Sequence, residues 1–390
     1  MAVTLIINPG SSSKKYFLVT DGRVIASFRF ERNEQQFEMC REENGLQKIC
    51  EGISSEQYGT ALRQVLDSAL RSGTITNLSD ITRVGVRIVA PGTYFQAHRV
   101  IDEAYLVILR GQEGSAPLHI PPTVREIDQL RLELPEALIV GVSDSAFHTT
   151  LPTHARTFAI LAEDSSLFDL YRFGYHGLSC TSVVRRLPAW LPATARRVIV
   201  CHLGSGMSMT ALLDGVSIDT TMGFGPGSGL MMGARTGDIE PGLLLELMRV
   251  KNLGLFDAQT YLQTQGGFVG LAGESDFRHL LERYAQGDEM VKAAFLQCAY
   301  QFQKTVGSFT MALGGLDAIV LTATAAERSS ALRTILLEGL EWLGVTLDQE
   351  RNEEVVSQDG FITTATATRP PRAGTRRRTA SGTTSSTVTS

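Results

Sequence analysis

The chain of 390 residues lacks long hydrophobic runs, is poor in cysteine and has no excess of basic residues. The apolar run Val3–Ile7 is too short for a signal-peptide core, and no other stretch approaches the length of a membrane span. The formal net charge of −5 excludes the basic signature of a nucleic-acid-binding protein. We therefore expect a cytoplasmic globular protein with no membrane or nucleic-acid partner.

Five cysteines are too few and too scattered for a disulfide framework, and no two have the C-x-x-C spacing of a zinc site. They are Cys40, Cys50, Cys180, Cys201 and Cys298. The sequence predicts that all five are reduced and mostly buried thiols.

Short β-rich runs bounded by Gly, Asn or Asp come first in hairpins and then alternate with helical patterns, which indicates an α/β protein with mixed sheets. The length favours two domains. Two segments share one design: an apolar strand, a Gly/Ser turn, a second strand and an Asp-Gly hairpin. Their turns are Gly10-Ser11-Ser12-Ser13 with Asp21-Gly22, and Gly204-Ser205-Gly206 with Asp214-Gly215.

This duplication predicts two related domains, residues 1–149 and 150–360. Residues 361–390 are rich in Thr, Ser, Arg, Ala, Gly and Pro, and Val388 is the only large aliphatic residue after Thr363. Such a segment has too little apolar surface to offset the entropy of ordering, so we expect a disordered tail.

The two glycine turns suit a bound polyphosphate. Glycine lets another group approach the backbone closely, and successive N–H groups with Ser hydroxyls can converge on an anion, to which Lys15 adds a charge. Two ordinary hairpins are the alternative for either turn taken alone. Arg235 lies in the glycine-rich segment 221–242 and could clamp phosphoryl oxygens with its guanidinium, although an arginine among glycines is often merely solvated.

Many motifs of this chain resemble, in order and spacing, those of the acetate kinase (acetokinase) family. They include NPGSSSKKY (8–16), VGVRIVAPG (84–92), APLHIPP (116–122), SDSAFHTTLP (143–152), RFGYHGLSC (172–180), CHLGSGMS (201–208), DTTMGFGPGSGLMMGARTGDIEPG (219–242) and SDFRHL (275–280). The resemblance runs from residue 3 to about residue 358. It implies a two-domain actin/sugar-kinase-like (ribonuclease H-like) fold and a Mg²⁺-dependent, cytoplasmic, homodimeric enzyme that converts ATP and acetate to ADP and acetyl phosphate.

The resemblance also implies a role for individual residues. Asp144, His176 and Arg235 would be catalytic, and Asn8 would help to hold Mg²⁺. Arg87 would bind the carboxylate, and its alkyl group would be enclosed by Val89, Leu118, Tyr175 (usually Phe in the family) and Pro226. The nucleotide would contact Ser11, Ser13, Lys15, His202, Leu203, Gly204, Ser205, Gly206, Asp276, Phe277, Arg278, Thr324, Ala325, Ala326, Glu327 and Arg328.

These roles agree with the demands of in-line phosphoryl transfer, which are mainly alignment and charge stabilisation. Acetate is ionised at pH 7 and needs no base, so Asp144 would position groups or organise the metal shell. Without the resemblance, the sequence favours a core histidine with a backbone partner at position 176, and a helix N-cap is as plausible a role for Asp144 as catalysis.

The sequence departs from the family pattern at several places. The adenine-side loop, usually TAGIGENS, reads TATAAERS from Thr322 to Ser329, and Ala90-Pro91-Gly92 replaces His-Gly-Gly. If the lost glycines need a positive φ or close contact with the nucleotide, Thr324 and Ala326 lower stability or affinity. Ser205 and Ile120 each replace an Asn.

After Gly360 we recognise neither the family's closing strand and helix nor its Asn-Glu-Glu motif, whose Glu binds Mg²⁺. A frameshifted or eroded end would account for this. The sequence thus predicts an acetate kinase. The alternatives are an impaired family member that binds nucleotide without turnover, and a propionate kinase. A sugar kinase of the same fold is disfavoured, because Arg87 and the apolar wall suit a small carboxylate.

Overall fold

The computed structural model describes residues 2–10, 13–33, 36–43 and 47–364. Its strands are β1 (Val3–Pro9), β2 (Ser13–Thr20), β3 (Arg23–Asn33), β4 (Gln36–Glu43), β5 (Ile49–Ile53), β6 (Ile81–Ile88), β7 (Arg99–Val100), β8 (Leu138–Ser143), β9 (Arg197–Leu203), β10 (Met207–Leu213), β11 (Val216–Thr220) and β12 (Ala318–Thr322). Of the tail predicted over residues 361–390, residues 365–390 lie outside the described residues.

The α-helices of the described residues vary from one turn to seven. They are α1 (Ser55–Gly59), α2 (Ala61–Arg71), α3 (Glu103–Gly111), α4 (Ile120–Glu133), α5 (Thr153–Arg156), α6 (Ala162–Leu167), α7 (Gly177–Trp190), α8 (Pro241–Lys251), α9 (Leu255–Thr264), α10 (Gly267–Ala272), α11 (Phe277–Ala285), α12 (Glu289–Leu313), α13 (Thr324–Arg328), α14 (Ser330–Leu337) and α15 (Gln349–Glu354). Short 3₁₀ helices occupy Leu78–Asp80, Thr93–Phe95, Ala146–Thr150 and Glu341–Leu343.

The strands form two sheets that contain the same four-stranded unit. The first sheet has the order β5-β4-β3-β2-β1-β6-β8-β7 and the second the order β11-β10-β9-β12. In both, an antiparallel three-stranded meander is joined by a later strand parallel to its first strand, β6 beside β1 and β12 beside β9. The predicted duplication of the β-hairpin and α core is therefore present.

The Asp-Gly pairs make the tight turns that the sequence predicts. Asp21 and Gly22 have φ values of 49° and 74°, and Asp214 and Gly215 have 54° and 77°. Positive φ at both central residues defines the type I′ turn, whose twist matches that of the flanking strands. These turns fix the register of the two hairpins that carry the glycine loops at their opposite ends.

Each sheet is buried in a different way. In β1, Val3, Leu5 and Ile7 alternate with more exposed residues and face helices α2 and α4, so this strand buries one face. In the second sheet both faces are covered, by α12 on one side and by α7 on the other, and six of the seven residues of β10 are buried. The residues at the strand ends of the second sheet are thus supported by packing on both of its faces.

One sequence prediction is wrong: Cys40 and Cys50 are joined by a disulfide. The two residues lie directly opposite each other in the antiparallel pair β4–β5, with Cα atoms 4.0 Å apart. The sequence reading missed β5 and therefore missed the pairing that brings the two sulfurs together. Cys180, Cys201 and Cys298 are free and buried, as predicted.

Candidate active site

The first glycine turn joins β1 to β2 and needs its glycine. The Gly10 N–H donates to the Asn8 carbonyl at 3.0 Å, and a Cβ at Gly10 would lie 2.8 Å from the Ser13 carbonyl oxygen. Lys15 lies opposite Asn8 in the β1–β2 register. Burial and the neighbouring Arg29 lower the pKa of Lys15. Ser11, another predicted phosphate ligand, lies outside the described residues.

The second glycine turn joins β9 to β10. Within it the Gly204 N–H donates to the Gly206 carbonyl at 3.0 Å, while the Ser205 carbonyl accepts from Gly233 in the glycine-rich segment at 3.1 Å. A Cβ at Gly206 would lie 3.4 Å from both Arg235 Nη1 and His176 Nε2. The turn thus opens onto two of the predicted catalytic residues.

Arg87 and Asp144 form a buried ion pair at the adjoining ends of β6 and β8. Arg87 Nη2 donates to Asp144 Oδ2 at 2.7 Å, and Arg87 Nη1 donates to Asn8 Oδ1 at 3.2 Å. Burial alone would raise the pKa of the Asp144 carboxyl, but the Arg87 guanidinium and the His176 N–H outweigh it and hold this pKa below its usual range. Asp144 is therefore ionised at neutral pH.

His176 has an unusual backbone conformation that Asp144 stabilises. Its φ of 58° and ψ of 23° are left-handed, and its N–H donates to Asp144 Oδ2 at 2.9 Å. The next residue must be glycine, because a Cβ at Gly177 would lie 2.5 Å from the Asp144 carbonyl oxygen. The His176 ring stacks on His202 with centroids 3.9 Å apart, and Ser208 Oγ lies 2.9 Å from its Nδ1.

Arg235 is held by backbone and sulfur rather than by a carboxylate. Its Nη1 donates to the Pro226 carbonyl at 2.9 Å, and among the described residues it forms no ion pair. Burial and the positive charge of Arg87 lower the pKa of Arg235 to about 10, so it remains charged at neutral pH. A buried cation of this kind is suited to an anionic ligand.

The predicted alkyl-binding residues come from both halves of the chain. Tyr175 is fully buried, and its hydroxyl donates to the Phe224 carbonyl at 2.6 Å. Val89, at the end of β6, packs against the same core, while Leu118 is half-buried just before α4. Pro226 is half-buried in the segment held by Arg235. Val89 and Tyr175 thus share one core cluster, and Pro226 follows two residues after Phe224, the partner of Tyr175. No contact of Leu118 with these residues is described.

The predicted adenosine contacts fall into two groups. Asp276 caps α11 and pairs with Arg278, whereas the side chain of Phe277 packs in the core with Phe268 and Phe295. Leu203 and Ala326 are also buried in the core, so only their backbones could contact a ligand. Arg278, Thr324, Glu327 and Arg328 are exposed, and Ala325 is half-buried.

The backbone strain expected at Thr324 and Ala326, where the family has glycines, is found instead at the preceding residue, Ala323. Thr324 and Ala326 are helical residues of α13, and neither has a positive φ. The strained residue is Ala323, with φ 73° and ψ 166°, a region that side chains disfavour. Glu327 Oε1 holds this conformation by accepting from the Ala323 N–H and the Thr322 hydroxyl, both at 2.9 Å.

Two histidines of the cleft region were not assigned a role from the sequence. His119 Nε2 is buried and has no hydrogen-bond partner among the described residues. Burial and the cations Arg235 and Arg87 lower the pKa of His119 to about 3. His148 is fully buried, and its Nε2 lies 2.9 Å from the Tyr175 carbonyl. The predicted motifs contained both residues, but their partners are distant in sequence and only the fold reveals them.

Arg87, Arg235 and the neutral imidazoles thus surround a space bounded by the second glycine turn. Burial, next His202 and then the two arginines lower the pKa of His176 well below its ordinary value, and burial lowers the pKa of His202 to about 4. Such a cluster provides two cations and several neutral hydrogen-bond donors, which is what charge on equatorial phosphoryl oxygens requires.

Comparison with known proteins gives consistent results. The family model "Acetokinase family" matches residues 3–370. The chain is 36% identical over 369 residues to an acetate kinase of Thermoanaerobacterium thermosaccharolyticum, an alignment covering 93% of this chain and 92% of the relative. A propionate kinase from Francisella tularensis subsp. tularensis SCHU S4 superposes with a TM-score of 0.85 at 28% identity, covering 94% of each chain. An acetate kinase from Porphyromonas gingivalis superposes with a TM-score of 0.80 at 27% identity, also covering 94% of each chain.

Fold and similarity together define a phosphotransferase whose acceptor is a carboxyl group. The chain belongs to the acetokinase family. The predictions of family, enzyme class and α/β actin/sugar-kinase-like fold are thereby confirmed. Among the described residues no helix has both the length and the apolar character needed to cross a bilayer.

Proposed function

We propose that the protein is an acetate kinase that reversibly transfers the γ-phosphoryl group of ATP to acetate. A carboxylate oxygen of acetate forms the new P–O bond while the bond from the γ-phosphorus to the β,γ-bridging oxygen breaks, and ADP keeps that electron pair. The observation that carries this proposal is the cluster of Arg87, Asp144, His176 and Arg235 beside the Gly206 turn.

In this proposal the two arginines have different tasks. Arg87 is oriented by Asp144 and Asn8 and binds the carboxylate of the acceptor. Arg235 has no carboxylate partner among the described residues and neutralises charge on the migrating group. Asp144 positions Arg87 and His176 through Oδ2, and no proton needs to be removed because acetate is already ionised.

The donor set of the cleft fits Mg²⁺. Asn8 on β1 and Asp144 after β8 present an amide and a carboxylate oxygen from the two strands that flank β6, both bound to Arg87, and such hard oxygens suit this ion. Two protein oxygens suffice, since Mg²⁺ commonly completes its shell with water and phosphate oxygens. When bound, the ion would neutralise charge on the nucleotide phosphates.

ATP would lie between the two glycine turns. Ser11, Ser13 and Lys15 would contact its terminal phosphates from one side, and the segment His202–Gly206 from the other. The exposed residues Arg278, Thr324, Glu327 and Arg328 are available to the adenosine, together with Asp276 and the half-buried Ala325. The loop after β12 and the second glycine turn are neighbours, because the Ala323 Cβ lies 3.8 Å from the position of a Cβ at Gly204, which supports a nucleotide that contacts both.

Propionate is the second candidate acceptor. Val89, Leu118, Tyr175 and Pro226 would form the wall for the alkyl group, and the similar Francisella protein is a propionate kinase with a TM-score of 0.85. Because the Tyr175 hydroxyl is bonded to the Phe224 carbonyl, the Tyr175 ring is fixed in place. The space left between these side chains would then decide whether the methyl group of acetate or the ethyl group of propionate fits.

A homodimer in the cytoplasm is part of the same proposal, as are the domain limits 1–149, 150–360 and 361–390. Helix α8 has no buried residue although Leu243, Leu245 and Val250 lie on it, and Leu255 and Phe256 at the start of α9 are exposed as well. A second copy of the chain would cover this apolar surface.

The test is an assay of purified protein with ATP, Mg²⁺ and either acetate or propionate, in which hydroxylamine traps the acyl phosphate. We expect product with acetate and a large loss in Arg235→Ala, for which Arg110→Ala on the partly exposed surface of α3 is the control. ATP binding by calorimetry together with no product above the Arg235→Ala level would contradict the proposal and favour the impaired family member.

A further inference from the structure

The buried His148 and the half-buried His176 and His202 share one arrangement, in which a serine hydroxyl lies at hydrogen-bond distance from Nδ1. The pairs are His148–Ser217, His176–Ser208 and His202–Ser179, each with an Nδ1 to Oγ distance of 2.9 Å. The serines come from β11, β10 and α7, so the arrangement does not result from one local sequence motif.

The pair at His148 shows which atom donates. His148 Nε2 lies 2.9 Å from the Tyr175 carbonyl oxygen, which can only accept, so Nε2 carries the hydrogen. In the neutral ring Nδ1 is then an acceptor, and the Ser217 hydroxyl donates to it.

The same logic applies to His176. Ser208 is 1% exposed, and its hydroxyl has no other hydrogen-bond partner among the described residues than His176 Nδ1. If Nδ1 carried the hydrogen, the buried Ser208 O–H would have no acceptor, a loss that favours the other tautomer by roughly tenfold or more. His176 Nε2 therefore carries the hydrogen.

The direction of Nε2 gives this tautomer a consequence. A Cβ placed on Gly206 would lie 3.4 Å from both His176 Nε2 and Arg235 Nη1. A Cβ placed on Gly204 would lie 3.9 Å from His202 Nε2. The two rings stack with an interplanar angle of 26°. Both Nε2 atoms thus face the second glycine turn.

We propose that Ser208 is a positioning residue that keeps His176 in its Nε2–H tautomer, so that a neutral imidazole donates a hydrogen bond to the migrating phosphoryl group. Ser179 does the same for His202. This inference rests on the proposed phosphoryl transfer. No proton is transferred; the opposite tautomer would turn an Nε2 lone pair toward an anionic oxygen.

Protonation cannot replace this device at neutral pH. The His176 ring stacks on His202 and its Nε2 lies beside Arg235 Nη1, so a second proton would place one cation against another and the neutral ring has only one N–H to place. The position of that hydrogen decides whether the ring attracts or repels a phosphoryl oxygen.

The first test uses protein labelled with ¹⁵N-histidine and two-dimensional NMR that distinguishes protonated from unprotonated ring nitrogens. His176→Gln assigns the His176 signals among those of the 7 histidines. We expect a protonated Nε2 and an unprotonated Nδ1 for His176 in the wild type, and a mixture of tautomers in Ser208→Ala. A protonated Nδ1 in the wild type would overturn the proposal.

The second test measures turnover in the same proteins. Ser208→Ala should lower kcat about tenfold or more and change the KM for ATP less than threefold, while Ser208→Thr, which keeps a hydroxyl, should recover most of the kcat. Ser165→Ala, another buried serine outside the cluster, is the control and should keep the wild-type kcat.

The combination separates two failures. If His176 has the expected tautomer but the wild-type protein forms no acyl phosphate, the proposed function is wrong and the tautomer assignment holds. If the wild type is active and Ser208→Ala keeps both its tautomer and its kcat, the role of Ser208 is wrong. Should Ser208→Ala not fold, Ser208→Cys, a near-isosteric variant with a weak donor, takes its place with the same expected direction.

Discussion

Replacing Asp144 by Asn tests whether the buried ion pair organises the cleft. Asp144 is 1% exposed, and its Oδ2 accepts from Arg87 Nη2 at 2.7 Å and from the His176 N–H at 2.9 Å. Asn keeps the size and one acceptor but removes the charge, which leaves the Arg87 guanidinium without a carboxylate. Breaking a buried pair costs about 3–5 kcal/mol, and we expect the lower end because the Arg87 side chain is 27% exposed.

The chain contains a matched control for this substitution. Arg110 and Asp128 form a similar pair at 2.8 Å with both side chains nearly half exposed, so Asp128→Asn should cost less than about 1 kcal/mol. Urea unfolding at pH 7 measures the free energy of unfolding, and the hydroxylamine assay measures kcat. Asp144→Asn should lose about 3 kcal/mol and at least a hundredfold in kcat. Equal and small losses in the two variants would refute the ion pair as an organising feature.

Three further predictions concern backbone and histidines. His148→Gln should keep a higher kcat than His148→Asn, because the Gln amide can still donate to the Tyr175 carbonyl from a position like that of Nε2. The shorter Asn amide reaches only the position of Nδ1. Equal kcat values in the two variants would contradict the role of that hydrogen bond. Burial lowers the pKa of His148 to about 4, so the unfolded chain takes up a proton first as the pH falls below about 6.5. The stability that this ring contributes is present above that pH and should fall by about 2 kcal/mol by pH 5. Urea titrations at several pH values would measure this as a shallower dependence of the free energy of unfolding on pH in His148→Gln than in the wild type. Ala323→Gly should raise the free energy of unfolding by about 1 kcal/mol, because glycine adopts a positive φ without strain. Thr324→Gly should lower the free energy of unfolding, because it places a glycine in helix α13. The opposite order would show that Ala323 is not strained.

Local sequence rules predicted the hairpins that carry the site. The Asp-Gly pairs 21–22 and 214–215 required positive φ values, and the apolar runs before the glycine turns could be recognised as strands because they are short and β-branched. These features depend on residues close together in the chain.

Features that depend on distant partners could not be predicted. β4 contains several charged residues and was not recognised as a strand, yet Glu43 is buried because it accepts from Ser68 on α2. The disulfide of Cys40 needed the pairing with β5, which has no buried residue. Residues 325–337 have a helical apolar pattern, but the chain breaks at Ser329, whose side chain caps α14 by accepting from the Leu332 N–H.

The site shows the same division. The resemblance supplied Arg87, Asp144, His176 and Arg235, but not the shared oxygen Asp144 Oδ2 that binds two of them. The serines that bond to the histidine rings are distant from them in sequence, Ser208 being 32 positions after His176, so no single motif could indicate these pairs. Which hydrogen each ring carries follows from burial and partners in three dimensions.

The central claim is that two glycine turns hold a triphosphate whose last group meets His176 and Arg235. A crystal structure of the protein with a non-hydrolysable ATP analogue, Mg²⁺ and acetate tests it most directly. The account predicts the γ-phosphate beside the Gly206 turn, within hydrogen-bond distance of His176 Nε2 and Arg235, with acetate on Arg87. Nucleotide bound elsewhere, or a cleft without it beside Gly10 and Gly204 at saturating concentration, would contradict the account.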